Sequence, residues 1–363
     1  MSARSPRWHN RAGMEATLGP LLPLYQRERA AGRPLGLGVL VHARGSTYRK
    51  PGALILIAGD GEYAGLISGG CLEGDLREHA RSVIASGVAR TVHYDTRSAV
   101  DGLWGLGLGC EGAMQILLLQ VGPANGWQPL EHLAAALGAH RPAAVGLIVE
   151  SSHPDVRIGS VVVPGAPAPA GELASTAGAA VQELLQRCAS SGETAWIERS
   201  SWKLFAVPLA LPPRILVLGA GPDARPLVDF AVRLDWKVTL VDHREAYASQ
   251  RQFPQAEQVL LARPERLAES LDLRGFAAAV VMSHQLTADL AYLRVLAASS
   301  LPFVGLLGPA ARRERLLGEL GADAKRLEGR LHAPVGIVIG GRGPESIALS
   351  IVAQLHTYLH GIK

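Results

Sequence analysis

"ILVLGAGPDARPLVDFAVRLDWKVTLVDHR", Ile215 to Arg244, decides the fold of the C-terminal part of this 363-residue chain. An apolar run ends in glycines, a stretch with helical apolar spacing follows, and a second apolar run ends in an acidic residue. Gly219, Gly221 and Ala224 match G-x-G-x-x-A between a strand and a helix, and Asp242 ends the next strand. The first glycine permits a tight turn, the second lets backbone approach a pyrophosphate, and Ala224 allows the helix to pack closely. The helix N-terminus then faces an anion. Asp242 stands where a ribose hydroxyl is bound, whereas Arg244 beside it suits a phosphate instead. Pro222 is tolerated in the first turn. Asp223 complements the helix dipole there, yet places negative charge where a pyrophosphate would lie.

Working outward, "RILVLGAG", "KVTLVDHR", "EQVLLA", "AAAVVMSH" and "PFVGLLG" alternate with helical stretches, the pattern of a parallel α/β sheet. Ligands of such sheets bind outside the carboxyl ends of the strands. Ser283 and His284 fall at one such end, and Gly305 and Gly308 at another. His284 reads either as a site residue or as a helix cap in solvent. Pro208, Pro212 and Pro213 break the chain just before this sheet. The expected organisation is a disordered tail over residues 1–13, a mixed α/β domain over 14–210 and a Rossmann-type parallel sheet domain over 211–363. Met14 opens a better helical pattern than Met1 does.

In the first domain "LGLGVLVHARG", "ALILIAG", "AGLISGG", "TVHYDT", "AMQILLLQV" and "AAVGLIVES" read as strands, with helices over Asp75 to Ala85 and Leu130 to Leu137. Among them lie "ARGSTYRKPGA" (Ala43 to Ala53), "ISGGCLEG" (Ile67 to Gly74) and "WGLGLGCEG" (Trp104 to Gly112). Each joins glycine-freed backbone, able to form an anion-binding nest, to polar or thiol groups. Around Gly52, Arg49 and Lys50 offer charge-assisted contacts to a phosphate, and Ser46 and Thr47 offer hydroxyls. Ser68, Gly69 and Gly70 precede Cys71, and Glu73 follows it. A thiol near a helix N-terminus is a nucleophile or soft metal ligand, although Glu73 and Asp75 oppose the thiolate. A small packed residue at a tight turn is the other reading of Cys71. Gly109 and Cys110 repeat the combination. Cys188, in the helical "VQELLQRCAS", is packing or surface.

Hydrophobic residues make up 48% of the chain, enough for each domain to bury a core. Lys and Arg number 36 against 32 Asp and Glu, the charges are scattered and aromatics reach only 5%, which argues against a nucleic-acid partner. No run of about twenty apolar residues suggests a membrane span. Three cysteines are too few for a disulfide scaffold in a chain of this length, so a cytoplasmic location is expected. Zinc-like cysteine spacing, G-x-S-x-G and the P-loop are missing from the sequence, which leaves hydrolase and kinase chemistry without a starting motif.

The three glycine loops, in this order ahead of "GAGPDARPLV", "VTLVDHR", "VVMSH", "GLLG" and "PESIALSIVAQL", resemble the XdhC/CoxI family of molybdenum-hydroxylase accessory factors. The resemblance runs from about Arg33 to His360. It implies a maturation factor that binds molybdenum cofactor, as molybdopterin or its cytosine dinucleotide, protects it and assists its sulfuration. Delivery to a xanthine dehydrogenase-like molybdenum hydroxylase apo-enzyme follows, with a cysteine desulfurase as a further partner and a homodimer as the expected state. The family's thiol position falls on Cys71 and its second glycine-cysteine loop on Cys110. On this reading Cys71 touches molybdenum or its sulfur, and Arg49 with the glycine backbone holds the pterin phosphate. Two departures stand out: Glu111 follows Cys110 where the family has another glycine, and Val338 occupies a usually acidic position. An NAD(P)-dependent oxidoreductase, with Gly219, Gly221 and Asp242 holding nucleotide and His284 donating a proton, is the alternative. It leaves the cysteine loops idle. A docking protein whose sheet is only a surface is the third.

Overall fold

Strand β1 (Leu35–Gly45) begins with seven consecutive buried residues, which no strand facing water on one side would show. The computed structural model describes residues 16–70, 72–95, 112–165 and 176–361. The chain divides between Leu211 and Pro212 into two compact units. In the first, β1 is central to a five-stranded antiparallel sheet of order β3-β2-β1-β5-β4, completed by β2 (Leu54–Ile57), β3 (Tyr63–Gly65), β4 (Arg90–Asp95) and β5 (Gly112–Val121). A four-stranded antiparallel sheet of order β7-β6-β9-β8 is formed by β6 (Ala144–Ser151), β7 (Val161–Val162), β8 (Ala195–Glu198) and β9 (Trp202–Pro208).

Side chains alternate along a strand, so each sheet presents two faces. Leu35, Leu37 and Val39 of β1 meet Val145 and Leu147 of β6 and Phe205 and Val207 of β9 in one core, which joins the sheets face to face. Leu40, Ile55 and Ile116 point the other way, under Leu76, Ala80 and Val83 of α2 (Glu73–Ser86). Helix α4 (Thr176–Ser191) covers the second sheet through Val181, Leu185 and Cys188, so Cys188 is a packing residue. The arrangement is a helix–sheet–sheet–helix sandwich. Helices α1 (Leu22–Ala30) and α3 (Leu130–Gly138) add Leu24, Leu130 and Leu133 to the inter-sheet core.

Pro212 onward forms a six-stranded parallel sheet of order β12-β11-β10-β13-β14-β15. Its strands are β10 (Arg214–Leu218), β11 (Lys237–Asp242), β12 (Gln258–Leu261), β13 (Ala278–Val281), β14 (Val304–Leu306) and β15 (Leu331–His332). Numbered within the unit this is 3-2-1-4-5-6, the Rossmann order, with its switch point between β10 and β13. Helices α5 (Ala224–Arg233) and α9 (Pro344–His360) close one face with Leu227, Val228, Ile351 and Leu355. Helices α6 (Leu267–Ser270), α7 (Leu286–Ala298) and α8 (Ala310–Leu320) close the other with Leu267, Leu293 and Leu316. The five strands read from the sequence are all present. The sixth, two residues long, was not foreseen, and neither were β8 and β9. Strand β3 ends at Gly65, two residues into the "AGLISGG" run, where Gly65 turns to φ +89° against the β2 backbone.

Gly36 and Gly38 let α2 and the neighbouring strands close on β1: a Cβ on Gly38 would lie 2.7 Å from Ile55 Cγ2. Gly38→Ala therefore overpacks this core and is expected to cost about 1–3 kcal/mol, read as a lower urea midpoint with an unchanged slope.

Candidate functional site

Strands β1, β3 and β4 run the same way, so the chain leaves all three in one direction along the sheet. The chain leaves β1 at Gly45 and re-enters the sheet at Leu54, leaves β3 at Gly65, leaves β4 at Asp95 and returns at Gly112. Gly65 pairs with Ile55 and that with Gly38, seven residues back along β1, whereas Gly45 pairs with Gly112 and Asp95 with Ala113, so these two exits and the return share one end of the sheet. Ser46 is exposed there and Arg49 is half-buried. Gly112 lies against the Ser46 and Thr47 turn, where a Cβ would stand 2.8 Å from Ser46 O. Gly52 shapes the turn back into β2: it takes φ +101° and donates its N–H to Leu40 O at 2.7 Å. Cys71, Gly109 and Cys110 lie outside the described residues, as does Glu111.

Beneath the exposed Gly69 and Gly70, Ser68 and Glu73 are buried. The Glu73 carboxylate accepts the Ser68 N–H at 2.8 Å, the Ser68 hydroxyl at 2.5 Å and the Leu72 N–H at 3.3 Å. Glu73 thus ties down both flanks of Cys71 and uses its oxygens within the loop. Burial alone would raise its carboxyl; the bonds from Ser68 and the backbone outweigh that and hold it below the usual range. Nearby, the Tyr94 hydroxyl donates to Asp75 at 2.6 Å, and His79 Nε2 lies 3.3 Å from the same carboxylate. Burial, and then Asp75, raise the Tyr94 phenol. The Asp75–His79 pair was open to a sequence reader as i, i+4 neighbours on a helix. Tyr94 was not.

In the second unit the residues of the glycine fingerprint converge at the carboxyl ends of β10, β11 and β13. Gly219 takes φ +119°, and a Cβ there would meet Met282 O at 2.6 Å, so only glycine lets this turn rest on the end of β13. Ala224 is buried in the first turn of α5. Asp242 is fully buried and bound by its own chain: its carboxylate accepts the Ala220 N–H at 2.8 Å, the Arg244 N–H at 2.9 Å and a two-pronged Arg244 guanidinium at 2.9 and 2.8 Å. Burial works against the charge, but these donors outweigh it and lower the Asp242 pKa. Arg244 also stacks over Tyr247 at 4.2 Å. The Asp242 oxygens are therefore not spare for a ribose, and Arg244 is folded back on them.

The pyrophosphate seat holds a carboxylate too. Asp223 Oδ1 lies so close over Gly221 that a Cβ would stand 2.7 Å from it, while Asp223 Oδ2 pairs with His284 Nε2 at 2.7 Å. His284 reaches this position with a left-handed φ of +61°. Ser283 donates its hydroxyl to Asp289, which is buried and bound to Arg312 at 2.7 Å. Sequence reading placed Asp223 and His284 separately; a bond across 61 positions carries no local signal.

The family model described as the XdhC Rossmann domain matches residues 215–355, and that described as the XdhC and CoxI family matches residues 28–95. A Bacillus subtilis protein, named there as one of the probable subunits of xanthine dehydrogenase, is 30% identical over 319 residues, 88% of this chain and 91% of that protein. The chain belongs to the XdhC and CoxI family. A Bacillus halodurans crystal structure described as a xanthine dehydrogenase has a TM-score of 0.76 at 29% identity, covering 94% of this chain and 96% of that one. The Escherichia coli protein named molybdenum cofactor insertion chaperone PaoD is 23% identical over 330 residues, 90% of this chain and 83% of its own length. Both parts of the XdhC architecture are therefore present here, the sandwich with its glycine loops and the Rossmann unit. Among the described residues no group of three or more His, Cys, Asp or Glu is arranged to hold a metal ion, and no helix is long and apolar enough to cross a membrane.

Glu73→Gln removes charge from the tie across the Cys71 loop, and the Ser68 and Leu72 amides should exchange hydrogen about tenfold faster or more. Asp242→Asn leaves the half-buried Arg244 without its counter-ion and puts an amide where the buried carboxylate accepted four bonds, and should destabilise the protein by about 2 kcal/mol at neutral pH. Because the folded Asp242 pKa is depressed, its contribution is present above the unfolded value of about 3.9 and is lost as pH falls through the folded one. The difference between wild type and variant should shrink on acidification, as measured by urea unfolding against pH.

Proposed function

We propose that this chain is a carrier and insertion factor for the molybdenum cofactor, which it takes up, protects and delivers to a xanthine dehydrogenase-like apo-enzyme. One observation carries the reading: β1, β3 and β4 run the same way and each leads toward a glycine-rich segment, with an internally tied segment on both sides of Cys71. The relative named as an insertion chaperone supports the same assignment. The cargo is an anionic pterin phosphate carrying a metal with affinity for sulfur. Ser46 supplies a hydroxyl and Arg49 positive charge for the phosphate, while the Thr47 hydroxyl donates to Arg49 O at 2.9 Å and shapes the loop. Cys71 supplies a soft thiolate for the metal, and Cys110, in the segment between Asp95 and Gly112, the second sulfur.

Glu73 does not touch the cargo in this scheme. It fixes the backbone on both sides of Cys71, and its oxygens are occupied by donors of the loop and are not offered to the cargo. Presentation of the metal at an exposed edge lets a cysteine desulfurase reach it for sulfuration, in the cytoplasm, before hand-over. A dinucleotide-dependent oxidoreductase is the weaker reading, since Asp242 and Asp223 both engage their own chain.

The test is the molybdenum and pterin content of protein purified without oxygen from a cofactor-producing host. Wild type should carry both, and Cys71→Ala about tenfold less or lower still with an unchanged melting temperature. Wild-type protein that holds no molybdenum even after incubation with the cofactor would overturn the proposal.

A further inference from the structure

The C-terminal helix α9 bears a pair of side chains that the carrier reading does not use. His356 and His360 stand four residues apart at the end of the helix, so both project from one face. Their rings are tilted at 45° with centroids 4.3 Å apart. Two imidazoles bound to one ion at right angles, through metal–nitrogen bonds of about 2.1 Å, have centroids about 4.5 Å apart, close to this spacing. Both residues are exposed, and among the described residues no hydrogen bond or ion pair engages either ring. Trp236, buried just ahead of β11, stacks on His356 at 6.2 Å and 17° and so holds the plane of that ring. The last carbonyls of α9 place the negative end of the helix dipole beside the pair, where a cation is stabilised.

We propose that His356 and His360 form a two-histidine chelate for a late first-row divalent metal ion, zinc, nickel or copper, with water completing its coordination. Imidazole suits these ions, whereas magnesium, calcium and manganese prefer oxygen donors. No third His, Cys, Asp or Glu joins the pair among the described residues, so the ion is held by half the ligands of a structural site and stays exchangeable. Chelation ties one turn of α9 to the next and clamps the helix end, where the Gly361 N–H donates to Thr357 O at 2.9 Å. The site is distinct from the one proposed for the molybdenum cofactor, and the inference does not depend on that reading.

Untagged full-length protein carrying Cys71→Ser and Cys110→Ser, so that no loop thiol competes, is titrated with nickel chloride by calorimetry. One ion should bind per chain with a dissociation constant of about 10–100 μM, as half the ligand set of a structural site allows. His356→Ala and His360→Ala, both at exposed positions and so without consequence for the melting temperature, should each weaken binding about tenfold or more, and manganese should bind about tenfold more weakly than nickel. Saturating nickel should slow hydrogen exchange in the peptide that spans the end of α9 about tenfold, and should leave it unchanged in either variant. No nickel binding at about 1 mM, equal binding of manganese, undiminished affinity in either folded variant, or exchange at the helix end that ignores nickel would overturn the proposal. Since nickel is read in protein without loop thiols or cofactor, its failure and a failure to load molybdenum are separate results.

Discussion

The antiparallel pairing of β1 with β2 and β5 is the constraint on which the first unit depends. Because β1 is hydrogen-bonded on both edges and buried on both faces through Val41, its register cannot slip without turning a core face toward the wrong layer. The same pairing decides where the chain leaves the sheet. The chain leaves β1, β3 and β4 in the same direction because adjacent strands run in opposite directions. Glycine at positions 36 and 38 permits this packing, since side chains there would hold α2 and Ile55 away from the strand. The loops are therefore positioned by the core beneath them.

The second unit shows the opposite relation between motif and ligand. Its glycine turn and strand order are those of a dinucleotide fold, yet the chain has answered each of the motif's electrostatic demands internally. Asp242 meets Arg244 and the Ala220 N–H; Asp223 fills the space above Gly221 and meets His284. A fold therefore persists where the chemistry that usually accompanies it has been replaced, because the glycines are needed for backbone approach whether the approaching group is a phosphate or a carboxylate.

Much of this was legible in the sequence. Strands buried on both faces announce themselves as apolar runs, and the turn glycines carry a definite geometric requirement, so β10, β11 and the Gly219 turn could be read directly. Strands β8 and β15 could not, because a short run such as Leu331–His332 becomes a strand only when β14 offers it an edge. The site residues divide on the same line. Ser68, Glu73, Asp242 and His284 were picked out by position, but their partners decide their roles. Asp242 looked like a ligand group until Arg244 was seen folded back on it, a matter of rotamers that no spacing rule contains. Glu73 likewise turned out to serve the loop from below.

The tie between Glu73 and the flanks of Cys71 also bears on the direction of transfer. A segment whose hydrogen bonds are closed before anything docks has little order left to gain on loading. Nothing within such a tie acts as a spring that would expel a passenger. If the empty and occupied forms are alike there, net flow is governed by the difference in affinity between donor and recipient. In the proposed carrier role the recipient must then bind more tightly than this chain, whose own hold is best kept modest.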